Sequence, residues 1–171
     1  MQTKSITNIT NDASNAERLN RWSCAWRMFL DKPFTGYGPG TYQFQYFPYQ
    51  LPGETTYISV YNPYNIQDGH GGSAHNEYLL TLSESGFFGL VTFVLLLIIT
   101  FSRALNVIQN PKDKFTQQTI TWVLLGLFTY QLHGFFNNFL DTDKAAFLFW
   151  SALCAIATFD LENEKSKRKA T

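Results

Sequence analysis

The stretch that decides the architecture is Gly89-Leu-Val-Thr-Phe-Val-Leu-Leu-Leu-Ile-Ile-Thr-Phe101, a run without a single charge. It is the densest part of a longer apolar segment, Leu79 to Phe101, whose only charge is Glu84 near the start. A bilayer core about 30 Å thick needs about 20 mostly apolar residues in a helix, which this segment supplies. Two more such segments follow. Thr119 to Leu140 is uncharged but dotted with Gln131, His133, Asn137 and Asn138. Ala145 to Phe159 is shorter, and spans if its ends borrow flanking residues or the helix tilts little. Three nearly charge-free segments in succession predict an all-α membrane protein with three transmembrane helices. Buried helices of a soluble protein fit this pattern less well.

Composition agrees. Charged residues make up 15% of the 171-residue chain and aromatic residues 17%, against roughly 25% charged in ordinary soluble domains. Disorder is excluded by that apolar content. Thirteen Lys and Arg balance thirteen Asp and Glu, which argues against nucleic acid as a partner held by bulk electrostatics. A mean hydropathy of −0.14 averages two unlike parts. Residues 1–78 are polar and Tyr-rich, residues 79–160 hold the apolar runs, and 161–171 form a basic tail. Cys24 and Cys154 fall in unlike segments, so no disulfide is expected.

Orientation follows from the basic residues. Arg103, Lys112 and Lys114 lie between the first two segments, and Lys165, Lys167, Arg168 and Lys169 follow the third. Both stretches are expected on the cytoplasmic side, which puts residues 1–78 and the Asp141–Lys144 link outside. An exported head needs a translocation signal, and Gln2 to Asn15 is polar. The expectation is therefore the C-terminal part of a longer multi-span protein, cut within an external loop.

Within the head, Ala16 to Leu30 reads as an amphipathic helix with apolar residues at Leu19, Trp22, Ala25, Trp26 and Phe29. Ser14 or Asn15 is expected to cap it, Glu17 suits its first turn, and Pro33 follows its end. Gly36-Tyr-Gly-Pro-Gly40 is a turn-rich loop. Tyr42 to Tyr64, with Pro48, Pro52 and Pro63, suits an irregular loop on a membrane surface. Asp68-Gly-His-Gly-Gly-Ser-Ala74 is a flexible turn leading into His75.

Several side chains could carry chemistry. His75, at the outer mouth of the first apolar helix, suits a general base near neutral pH or an interfacial helix cap. Asn76 beside it suits an N-cap equally well. Arg18 and Arg21, three apart on one helix face, could grip a phosphate or pyrophosphate with forked donors, or could snorkel to headgroups. Arg27 points elsewhere on the wheel. Asp68, His70 and His75 match no strong metal-ligand spacing. His133 and Asn137, four apart, are expected on one face, lining a cavity or bonding between helices. Glu84, about two turns below His75, could tune the imidazole or pair elsewhere.

These residues resemble a known family. His75-Asn76, nine residues, Gly86, two residues, Gly89 is similar to the signature of O-antigen ligases. Arg18-x3-Trp22 and Asp31-Lys-Pro-Phe-Thr-Gly-Tyr-Gly-Pro-Gly-Thr-Tyr42 resemble the stretch that precedes it in the ligase and polymerase superfamily. The resemblance covers roughly Ala16 to Phe159 and only the C-terminal portion of such a protein. It implies inverting, cofactor-free and metal-independent glycosyl transfer at the periplasmic side of the bacterial inner membrane. The donor is a glycan on polyprenyl pyrophosphate, and the acceptor is a sugar hydroxyl, on lipid A-core for a ligase or on a repeat unit for a polymerase. Arg18 takes the place of the family's arginine and His75 that of its general base. Arg21 is implied as a second pyrophosphate contact, with Asn76, Gly38, Gly40, His133 and Asn137 around the substrate. The expected partners also include membrane lipid and the N-terminal helices of a parent protein. The alternative from another class is a non-enzymatic membrane-anchored remnant that binds glycan.

Overall fold

A computed structural model describes residues 13–54, 56 and 72–170. Among these every regular element is helical. The order is α1 (Ala13–Asp31), α2 (Tyr42–Gln45), α3 (Glu77–Gln109), α4 (Lys114–His133) and α5 (Asp143–Ala170), with short 3₁₀ turns at Phe47–Tyr49 and Phe139–Asp141. They form two units: one runs to Leu90 and includes Phe135–Asn138, and the other comprises Val91–Gly134 and the chain from Phe139 onward.

Two helices, α3 and α5, are long and apolar enough to cross a membrane. Only 11% of the most apolar window of α3 and 17% of that of α5 is buried, whereas a core helix of a soluble protein would be mostly covered. Phe87, Phe88, Ile98 and Ile99 of α3 and Phe147, Leu148 and Trp150 of α5 all stand exposed. Exposed apolar surface on this scale needs lipid or another protein against it. Hydroxyls in these helices are satisfied locally: Thr100 donates to the Leu96 carbonyl and Thr158 to that of Cys154, each at 2.8 Å.

The second apolar segment is placed differently from the sequence expectation. Its helix, α4, starts at Lys114, capped by the Asp113 carboxylate, which accepts the Thr116 N–H at 2.7 Å. It ends at His133, where Gly134 begins a turn, so residues 134–138 are not helical. The third helix is longer than expected. It runs unbroken through the basic residues that the sequence set apart as a tail. In this unit Ala104, Val107, Ile120, Leu127, Phe149, Leu153 and Ile156 form the core.

In the other unit Cys24, Ala25 and Met28 of α1 pack on Tyr42, Tyr46, Ala74 and Leu80. Ser14 and Asn15 lie inside α1 rather than capping it. The buried stripe of α1 includes Glu17 and Arg21, while Leu19, Trp26 and Leu30 are exposed. The helix thus folds its mixed face inward and leaves its most apolar stripe outward. Tyr42 and Tyr46, expected in a surface loop, are instead buried and stacked, with ring centroids 5.2 Å apart. The Tyr42 hydroxyl donates to the Arg21 carbonyl at 2.8 Å. Burial holds the Cys24 thiol up at about 11, so it stays protonated and packs as a small hydrophobe.

The decisive local feature is a break in α3 at Gly86, with φ 68° and ψ −168°. In an unbroken helix the Phe87 N–H would donate to the Ser83 carbonyl and the Phe88 N–H to that of Glu84. Here the loop after α1 takes over. The Phe87 N–H donates to the Pro33 carbonyl at 2.7 Å, while Tyr37 and Gly38 donate to the Ser83 and Glu84 carbonyls at 3.1 and 2.8 Å. The contact is close enough to demand glycine on both sides. A Cβ on Gly36 would lie 2.3 Å from the Glu84 backbone, and one on Gly86 would lie 2.5 Å from that of Phe34.

Candidate functional site

The residue at the centre of the site is His75, two positions ahead of α3. Its φ of 50° is left-handed, and no other described non-glycine residue has a positive φ. Such strain persists only where the surroundings over-determine it. Here the His75 N–H donates to the Ser73 hydroxyl at 3.2 Å. That hydroxyl donates in turn to the Asn138 side-chain carbonyl, and the Ser73 backbone carbonyl accepts from Arg21 Nη1 at 3.2 Å.

Arg21 is the clamp beneath this turn. Its Nε donates to Glu17 Oε1 at 3.0 Å, its guanidinium lies 5.2 Å from the centre of the Tyr46 ring, and its side chain is buried. Glu17 Oε2 also accepts from the Thr56 hydroxyl at 2.9 Å. A Cβ on Gly72 would lie 2.1 Å from Arg21 Nη1, so the turn sits directly on the guanidinium. Of the two arginines expected to face a phosphate, Arg21 is therefore committed to internal partners. Arg18 is half-buried and has no carboxylate partner among the described residues.

Electrostatics ties these groups together. Burial lowers the His75 pKa below its usual 6.5, and the positive charges of Arg21 and Arg18 lower it further, against a smaller upward pull from Glu17. The imidazole is thus neutral at pH 7 and free to accept a proton. Stability carries the matching signature. Below pH 6.5 the unfolded chain binds a proton that the folded chain resists. Stability should therefore fall as pH drops from 6.5 through the lowered value, and thermal unfolding at pH 7.0 and 5.5 should show less of this loss in His75→Asn.

The remaining expected site residues divide. Asn76 is the N-cap of α3: its Oδ1 accepts the Leu79 N–H at 2.9 Å and its Nδ2 donates to the Phe135 carbonyl at 3.0 Å. With both ends of the amide engaged and the residue buried, its visible role is to fix the start of α3 beside His75. Asn76→Ala should lower stability by about 1–2 kcal/mol, with Asn76→Asp keeping the cap and recovering part of the loss in a melting experiment. Gly38 and Gly40 carry φ of 108° and 74° in the loop spliced into α3. Glu84 takes the second of its two expected roles, pairing elsewhere. Its buried carboxylate accepts the Gly40 N–H at 2.9 Å and the Tyr42 N–H at 2.8 Å, rather than tuning the imidazole.

His133 and Asn137 do not share a helix face, because α4 ends at His133. His133 is exposed and sets its ring edge-on to Phe139 within its own unit, whereas Asn137 belongs to the other unit. Arg27 forms a fork with Glu54 at 2.6 Å for each contact and also bonds the Tyr49 carbonyl at 2.8 Å, pinning residues 49–54 to α1. Asp68, His70 and the segment 57–71 lie outside the described residues. Among the described residues, no three His, Cys, Asp or Glu side chains converge as metal ligands.

A strained histidine beside an arginine-bearing helix, leading into a long apolar helix with an exposed surface, points to the class: an α-helical membrane protein. The family model for O-antigen ligase matches residues 1–94, more than half of the 171 residues, and the chain belongs to that family. No curated protein and no solved structure matches the chain. The matched region contains α1, the glycine loop, His75, Asn76 and the break at Gly86, and excludes His133 and Asn137. The chain is therefore a ligase- or polymerase-like membrane protein. Its family implies a glycosyltransferase-type reaction between a lipid-linked glycan and an acceptor.

Proposed function

We propose that this protein carries the transfer centre of an O-antigen ligase-type reaction, with His75 as general base and Arg18 as the cation facing the leaving group. The donor is a glycan on polyprenyl pyrophosphate and the acceptor a sugar hydroxyl of lipid A-core. The acceptor oxygen attacks the anomeric carbon from the face opposite the pyrophosphate. The anomeric C–O bond breaks, its electron pair leaves with the pyrophosphate, and the hydroxyl proton passes to the His75 imidazole. Configuration inverts, and no metal is needed because the donor is already activated. The negative charge that develops on the pyrophosphate is stabilised by the Arg18 guanidinium in a partly desolvated site.

The observation that carries this reading is the pairing of a neutral, strained imidazole with a guanidinium that lacks a carboxylate partner. Arg21 then acts as a positioning residue, since its fork holds Ser73 and so the His75 turn. In the same reading α3, α4 and α5 are three spans with residues 1–78 periplasmic, the C-terminus cytoplasmic, and further helices completing the lipid-donor cavity. α4 supports it by length, since twenty helical residues reach about 30 Å.

The test uses glycan transfer in membranes of a strain lacking its own enzyme. Arg18→Ala should lower turnover about 10²- to 10³-fold, with Arg18→Lys recovering part of it. Removing this charge also relieves the smaller part of the His75 depression that it causes, behind burial and Arg21, so the acid limb of the pH profile should move somewhat to higher pH. Full activity and an unmoved limb would reject the assignment. Supplying lipid A-core or a second repeat unit as acceptor separates ligase from polymerase.

A further inference from the structure

The far end of α5 carries a second charged site, independent of the transfer centre. Lys112, Glu162, Lys165, Ser166 and Lys169 line a cavity of about 280 Å³. Three cations face one carboxylate, and that carboxylate is already held by Lys112 at 2.8 Å. The neighbouring acids are engaged as well: Asp160 lies 3.6 Å from Arg103 and Glu164 lies 3.4 Å from Lys167. Lys165 and Lys169 pair with no carboxylate among the described residues. They stand four apart on one helix face, where like charges repel each other unless an anion lies between them.

Their depth selects the anion. The apolar run of α5 ends at Phe159, and a helix rises about 1.5 Å per residue. Lys165 is therefore on the order of 9 Å beyond the apolar run and Lys169 on the order of 15 Å. The polar layer of each leaflet is about 5–8 Å deep. Side chains on a helix lean toward its N-terminus, which here means back toward the apolar run, and lysine reaches readily to headgroup level. Next to Glu162 of the cavity, buried Asn163 donates to the Asn110 carbonyl at 2.9 Å and ties α5 to the connection after α3.

We propose that this cavity binds the phosphate of an anionic phospholipid headgroup, held between Lys165 and Lys169 with the Ser166 hydroxyl as a further donor. Charge and the position of the site at the end of an apolar helix select a lipid over a soluble anion.

The experiment uses the full chain in nanodiscs and in detergent, with native mass spectrometry reading retained lipid. Phosphatidylglycerol should be retained over phosphatidylcholine. Lys165→Gln and Lys169→Gln should each reduce that preference about fivefold. Lys114→Gln, which removes the same charge near this end but outside the cavity, should change it less than twofold. Equal retention of both lipids would overturn the proposal. So would an equal loss in Lys114→Gln, which would mean diffuse attraction only, or displacement of phosphatidylglycerol by millimolar inorganic phosphate, which would mean a free-anion site. Unchanged melting temperatures would show that the exposed lysine variants remain folded.

Discussion

Replacing His75 by asparagine is expected to lower glycan transfer by about 10²- to 10⁴-fold while the amount of protein in the membrane holds. Asparagine is the informative choice because it tolerates the left-handed backbone that His75 adopts, with φ 50°. The strained turn survives, and only the basic nitrogen is lost. His75→Ala removes the base and also adds a conformational cost, so a larger drop in protein level for alanine than for asparagine would separate folding from chemistry. In the unmodified protein, activity should be flat near pH 7 and fall on the acid side only below the ordinary histidine range, because burial and two arginines hold the imidazole neutral. Turnover of His75→Asn within threefold of the parent would remove the histidine from the reaction.

The second large effect concerns the backbone. Gly86→Ala should destabilise the unit that contains it by about 3 kcal/mol or more. Two costs combine. A φ of 68° with ψ of −168° is a conformation that essentially only glycine adopts. The added methyl would also lie 2.5 Å from the Phe34 backbone, with no flexible side chain to give way. Gly36→Ala should behave alike, since its Cβ would meet the Glu84 backbone at 2.3 Å. Gly53→Ala is the control, with nothing within 4 Å. Thermal unfolding and limited proteolysis in detergent read the difference. A Gly86→Ala protein that melts with the Gly53→Ala control would show that the break is not required.

Apolar run length was legible from composition, and it located the starts of α3 and α5 to within two residues, while both helices run on past the expected ends into polar sequence. The end of α4 was not, because Leu132, Phe135 and Phe136 continue the apolar pattern straight through the turn at Gly134. The periodicity of α1 identified a helix. It did not reveal that the Glu17–Arg21 pair faces inward, since that depends on Ser73 and Tyr46, distant in sequence. His75 and Arg18 stood out as chemistry-bearing residues, but their electrostatic coupling emerges only from the fold. Glu84 looked like an isolated charge in a span. Its partners are two backbone N–H groups more than forty positions earlier, which leave no pattern in side-chain sequence.

The splice at Gly86 also bears on the order of assembly during synthesis. The chain from Pro33 to Tyr42 leaves the ribosome before the helix it repairs. When Ser83 to Phe87 emerge, their missing partners are already waiting, so the gap can close as soon as it forms. Moving that loop to the C-terminal side by circular permutation would leave bare amides and carbonyls at the head of a nascent membrane helix, where the insertion machinery would meet them unpaired.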